Sequence, residues 1–73
     1  MKHLTTTLDL HGIQHKDVED ILIDHFFWKG NVNTVVITGN STQMKKIVVE
    51  WLEENEFSYF ISSINSGRIE VLS

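Results

Sequence analysis

The segment Val32-Asn33-Thr34-Val35-Val36-Ile37-Thr38 constrains this chain more than any other, because it is β-branched almost throughout and separates two helical patterns. Side chains branched at Cβ lose rotamer freedom against a helical turn and pack well on a pleated surface, so the run reads as a strand. That composition predicts cover on both faces and a central place in a sheet.

Upstream, Leu4, Leu8 and Leu10 alternate with Thr5, Thr7 and Asp9, the period of two expected of a half-buried strand over residues 4–10. His11-Gly12-Ile13-Gln14 breaks that alternation. Val18, Ile21, Leu22 and Phe26 then recur at helical spacing with His25 beside them, which predicts an amphipathic helix over 15–28 and makes His25 a packing histidine. Asp17, Glu19 and Asp20 suit the positive end of that helix, and Lys29-Gly30 suits its close. After Gly39-Asn40, Ser41 or Thr42 can cap a second helix, whose stripe Met44, Ile47, Val48, Trp51 and Leu52 carries it to about Asn55 and into the core. Residues 57–64 are aromatic and β-branched, Asn65-Ser66-Gly67 is a turn, and 68–72 alternates again, so the chain closes with a β-hairpin.

The expected order is βαβαββ in one domain over residues 1–73. Right-handed crossovers lay both helices on one face of a mixed four-stranded sheet, an α/β two-layer sandwich. The chain has no cysteine, so neither a disulfide nor a thiolate metal site can staple it, and the reducing cytoplasm is its simplest home. The first residues, Met1-Lys2-His3-Leu4-Thr5-Thr6-Thr7, lack the apolar run of a signal peptide, and no stretch is apolar for long enough to span a membrane. We therefore expect a soluble, untargeted protein without a membrane partner. A formal net charge of −4 argues against broad nonspecific binding to nucleic acid and confines any such contact to a local patch.

In a sheet of this kind ligands favour the carboxyl ends of the parallel strands. Asp9-Leu10-His11-Gly12 ends the first strand and Thr38-Gly39-Asn40-Ser41 the second, and each loop leads into a helix whose free amides suit an anion. Lys16, Lys45 and Lys46, half of the 6 basic side chains, follow directly. A lysine at a helix start opposes the helix dipole, which tilts the reading from solvated surface toward binding.

Leu8-Asp9-Leu10-His11-Gly12 matches the L-D-L-H-G signature that opens small MutS-related (Smr) domains, at the end of a first strand and before a first helix. Val35-Val36-Ile37-Thr38-Gly39 is similar to the apolar strand that leads into the family's T-G-x-G or H-G-x-G loop, and Val48-Val49-Glu50-Trp51-Leu52 to its W-L helix segment. Ser41 stands where the loop motif has its second glycine, and the terminal turn has fewer glycines than is usual. The resemblance implies a fold similar to the carboxy-terminal domain of translation initiation factor 3. It also implies endonuclease activity, nicking DNA or cleaving RNA, with function at Asp9, His11, Thr38 and Gly39.

In the mechanism that follows, His11 exchanges a proton with a phosphodiester while Asp9 orients its ring or binds a metal. The amides of Gly39, Asn40 and Ser41 with Lys45 or Lys46 hold the phosphate, flanked by Gly12 and Lys16. With RNA the 2′-hydroxyl can be the nucleophile, so no cofactor is required, although Mg²⁺ is compatible. A noncatalytic module that binds structured nucleic acid or a protein partner is the alternative. Asp9, His11 and His15 carry enough donors for zinc, but His15 begins a helix while His11 lies in a loop. Phe26, Phe27 and Trp28 end the first helix ~20 Å from its start, so an exposed Phe27 or Trp28 marks a protein contact rather than part of the His11 edge.

Overall fold

A computed structural model describes residues 5–31, 33–61 and 67–72. Its elements are β1 (Thr6–Asp9), α1 (His15–Ile23), one π-helical turn (Asp24–Trp28), β2 (Thr34–Ile37), α2 (Thr42–Glu54), β3 (Tyr59–Ile61) and β4 (Arg68–Val71). The four strands form a mixed sheet in the order β1-β2-β4-β3, with β1 parallel to β2 and β4 antiparallel to both of its neighbours. Leu4, Val32 and residues 62–66, among them part of the expected third strand and turn, lie outside the described residues.

Both helices bury their stripes in one cluster with the sheet: Val18, Leu22 and Phe26 from the first, Met44, Val48, Trp51 and Leu52 from the second, against Leu10, Val36, Ile69 and Val71. Strand register explains which sheet residues take part. Thr34 lies opposite Val71 and Val36 opposite Ile69, and all four are buried under the helices. Val35 and Ile37 point to the other face, where they are only half-buried. The expected cover on both faces of β2 is thus corrected, although its central place stands. β-Branching on both sides of that strand reflects strand preference as well as burial, so it overstates how many layers surround it. Among the described residues, no helix is long and apolar enough to cross a membrane.

Two further departures have local causes. The first helix does not run as regular α-helix to Trp28: the Lys29 amide donates to the Asp24 carbonyl at 2.9 Å, a bond one residue longer than the α-helical one, and Gly30 at φ +71° ends the helix. The third strand begins at Tyr59, because Phe57 belongs to the helix end. The amides of Glu56 and Phe57 donate back to the carbonyls of Glu53 (3.2 Å) and Leu52 (2.9 Å), a Schellman closure with Glu56 at φ +61°. Phe57 then stacks on Trp51 at 5.5 Å and meets Phe26 at 5.0 Å.

At the start of the parallel strands lies a buried polar chain. His25 Nε2 is 3.0 Å from Thr34 Oγ1, which is 2.8 Å from Thr6 Oγ1, and the Thr6 hydroxyl donates to the Asn33 carbonyl at 3.3 Å. Asn31 Nδ2 approaches His25 Nδ1 at 3.4 Å. An amide nitrogen only donates, so Nδ1 is bare and Nε2 carries the proton. His25 is therefore a packing histidine, as its spacing predicts, and a neutral one. Burial lowers its pKa below 6.5, the Lys29 charge lowers it further, and Asp24 opposes both.

The unfolded chain thus binds a proton at His25 more readily than the folded one. Stability is full above pH 6.5 and falls as pH drops through that value, levelling off below the folded-state pKa. Urea denaturation at pH 7.5 and 5.5 should give a lower midpoint at the acid value, and the gap should narrow in His25→Gln. Because the left-handed conformation costs an ordinary residue roughly 1–2 kcal/mol, Glu56→Gly should stabilise the fold by up to about 1 kcal/mol in the same measurement.

Candidate active site

β1 ends at an Asx-type closure followed by a tight turn. The His11 amide donates to Asp9 Oδ1 at 2.9 Å, and the Ile13 amide donates to the Leu10 carbonyl at 3.0 Å. His11 and Gly12 are the central residues of that turn, and Gly12 at φ +83° meets the type II requirement. Leu10 is fully buried while Asp9 and His11 are exposed. Apart from His11, every residue of the L-D-L-H-G string therefore acts locally on the fold. The leucines pack inward, the aspartate holds the turn, and the glycine permits it.

Because β1 and β2 are parallel neighbours, their carboxyl ends meet. The His11 ring lies against Gly39: a Cβ placed on that glycine would stand 3.2 Å from His11 Cδ2. Gly39 also has φ +68°, so glycine is required there by both conformation and space. The two loops singled out by sequence thus form one edge.

Several expected roles change. Asp9 serves the backbone of His11 rather than its ring, since its carboxylate has turned toward the amide that follows it. Thr38 is buried; its amide donates to the Gly67 carbonyl at 2.8 Å, and its hydroxyl donates to the carbonyls of Gly39 (3.2 Å) and Gly67 (3.3 Å). The Gly39 amide donates to the same Gly67 oxygen at 3.2 Å. Neither residue offers a phosphate donor, because the start of β4 comes up beside the loop and takes both amides. Ser41 is the N-cap of α2, its Oγ accepting from the Met44 amide at 3.1 Å. Its own hydroxyl proton, and the amides of Thr42 and Gln43 that precede the first helical bond, are the donors left at this helix start.

Around them stand Asn40, exposed in the turn, and Lys16, Lys45 and Lys46 on the opening turns of the two helices. Among the described residues, no carboxylate lies within salt-bridge distance of these lysines. Sequence reasoning missed Arg68. The register sets Asp9 opposite Ile37 and Ile37 opposite Arg68, so the exposed Arg68 shares a row with Asp9 on the open face at this same edge. The inward-facing Ile69 gave its orientation, but only the pairing of β4 with β2 gives its place. Among the described residues, no three His, Cys, Asp or Glu side chains gather as metal ligands.

Replacing Gly39 by alanine should lower stability by about 1–2 kcal/mol for the backbone alone. Pairing it with His11→Ala should recover the part due to the ring contact, a coupling that a double-mutant cycle reads from denaturation midpoints. Comparisons of this chain with protein-family models, with curated proteins and with solved structures found no match.

Proposed function

We propose that this chain is an Smr-like nucleic-acid-processing domain of the cytoplasm whose His11 edge binds a phosphodiester and cleaves it, with RNA as the substrate that needs least help. The observation that carries this reading is the exposed His11 ring packed on Gly39 at an edge whose three lysines have no carboxylate partner among the described residues. A cation without a carboxylate partner can take an anion from outside the chain, and a phosphate backbone supplies one. The family resemblance of Leu8 to Gly12 supports the same assignment, including its likeness to the translation initiation factor 3 fold.

The chemistry follows from what remains available. Neutral His11 takes the proton of the 2′-hydroxyl, the 2′-oxygen attacks phosphorus, and the 5′-oxygen leaves with a proton from water. The products are a 2′,3′-cyclic phosphate and a 5′-hydroxyl. The free amides of Thr42 and Gln43, the Ser41 hydroxyl and Lys45 or Lys46 balance charge on the phosphoryl oxygens. Asp9 acts as a positioning residue, fixing the turn that presents His11.

A second reading, a noncatalytic module that binds structured nucleic acid, is favoured by one observation: Asp9 makes no hydrogen bond to the His11 ring. The two readings separate in one experiment. Labelled structured RNA and supercoiled DNA are incubated with wild type and His11→Ala, with magnesium or with EDTA. The nuclease reading expects RNA cleavage in EDTA that falls about 10²–10⁴-fold in His11→Ala. Cleavage that survives the substitution would sink the His11 mechanism, and binding without cleavage would support the module. In either case each of Lys16→Gln, Lys45→Gln and Lys46→Gln should lower the slope of log affinity against log salt by roughly 0.7–0.9 if it contacts phosphate.

A further inference from the structure

On the side of the helices away from the sheet, a cleft of about 180 Å³ is lined by Glu19 of α1 and by Ile47, Glu50, Trp51 and Glu54 of α2. The four α2 residues follow the i, i+3, i+4, i+7 spacing, so they form one stripe about 10 Å long. Its floor is apolar, made by half-exposed Ile47 and the edge of Trp51. Outside the cleft itself, Phe27, 56% exposed, has its ring 5.8 Å from Trp51, and Trp28 is 80% exposed. These two are the most exposed large apolar side chains described.

The rim is anionic. Among the described residues, no Lys, Arg or His lies within 4.0 Å of the carboxylates of Glu19, Glu50 or Glu54. Glu53 is set apart from this rim, since it accepts the Tyr59 hydroxyl at 2.6 Å. The last turn of α2 carries no basic residue, so Glu53 and Glu54 sit at the negative pole of the helix dipole. Like charges gathered at that pole repel each other and the helix carbonyls, and a cationic partner removes both penalties.

We propose that this cleft docks a basic amphipathic segment of a protein partner, with an aliphatic side chain over Ile47 and Trp51 and lysine or arginine at the carboxylate rim. A long basic side chain suits both parts at once, its stem lying on the aromatic floor and its head at the rim. The same charge repels a nucleic-acid backbone, so the cleft and the His11 edge select ligands of opposite sign.

The test uses a 14-residue helical peptide with leucine on one face and lysine on the other, beside a counterpart with glutamate for lysine. Binding to the full chain is followed by tryptophan fluorescence and mapped by NMR. The lysine peptide should shift the Trp51 indole, the Ile47 methyls and Phe27, and the glutamate peptide should not bind. Glu19→Gln/Glu50→Gln/Glu54→Gln should weaken the lysine peptide about tenfold, taking each exposed pair at roughly half a kcal/mol. Asp17→Asn/Asp20→Asn/Glu70→Gln, which removes as much charge elsewhere, should change it less than twofold, with circular dichroism confirming that both variants fold. The proposal is overturned if the lysine peptide fails to bind, if its shifts lie away from the cleft, or if both variants weaken it equally. It is also overturned if the free chain dimerises with concentration and protects the cleft, since a second copy is then the occupant.

Discussion

With Thr6 opposite Thr34 and Asp9 opposite Ile37, β1 and β2 run parallel, and both ends of the molecule follow from that pairing. Parallel neighbours cannot be joined by a tight turn, so the chain must cross over the sheet, and α1 with its π-helical end makes the crossing. The strands finish at a common edge, where His11 meets Gly39, and they start at another, where Thr6 and Thr34 share a buried hydrogen bond with His25. The same pairing therefore gives two histidines opposite fates. His25 returns on the crossover helix to the strand starts and is sealed in as a neutral donor, whereas His11 is presented to solvent by a turn.

Most of the fold is legible in the sequence because its signals are local and periodic. The stripes of both helices, the alternation of β1 and the closing hairpin each depend on side chains a few residues apart, and the helical stripes point the right residues inward, including Trp51 and His25. Exceptions arise where backbone geometry or distant pairing decides. The π turn at Asp24–Trp28 shifts the hydrogen-bond partner by one residue, which no hydropathy pattern encodes. Phe57 looks like a strand residue by type, yet the left-handed Glu56 turns it back onto Trp51. At the candidate site, strand–helix order alone places His11, Gly39 and the lysines on one edge. It cannot place Gly67 and Arg68, because their presence there depends on β4 inserting between β2 and β3, a long-range choice.

Charge on α2 runs against the helix dipole at both ends, whereas α1 opens on Asp17 in accord with its own. Lys16, Lys45 and Lys46 stand on the opening turns, where negative charge is preferred, while Glu50, Glu53, Glu54 and Glu56 gather where α2 closes, where positive charge is preferred. Exchanging the charges of Lys45 and Lys46 with those of Glu50 and Glu54 would suit the α2 dipole better, whereas Glu53 also accepts the Tyr59 hydroxyl. An arrangement that stability does not select is explained most simply by ligands of opposite sign at the two ends. On the proposed reading the phosphate-facing edge is a local exception in an acidic chain, whose net charge of −4 is carried largely by the helix layer.

The position of Asp9 determines which chemistry this edge can support. A carboxylate bonded to the His11 ring would hold one tautomer; bonded instead to the His11 amide, it holds the turn and leaves the ring, which lies against Gly39, without Asp9 as a partner. If the proposed cleavage holds, an imidazole without that carboxylate is asked only for one proton from a nearby hydroxyl, as with RNA, rather than to generate hydroxide from water. The 2′-hydroxyl is already adjacent to phosphorus, so positioning is supplied by the substrate and the protein need only hold the phosphate. Ser41 fits that division of labour. It fixes the start of α2 by accepting from the Met44 amide, which leaves the other amides of the first turn for the proposed phosphate.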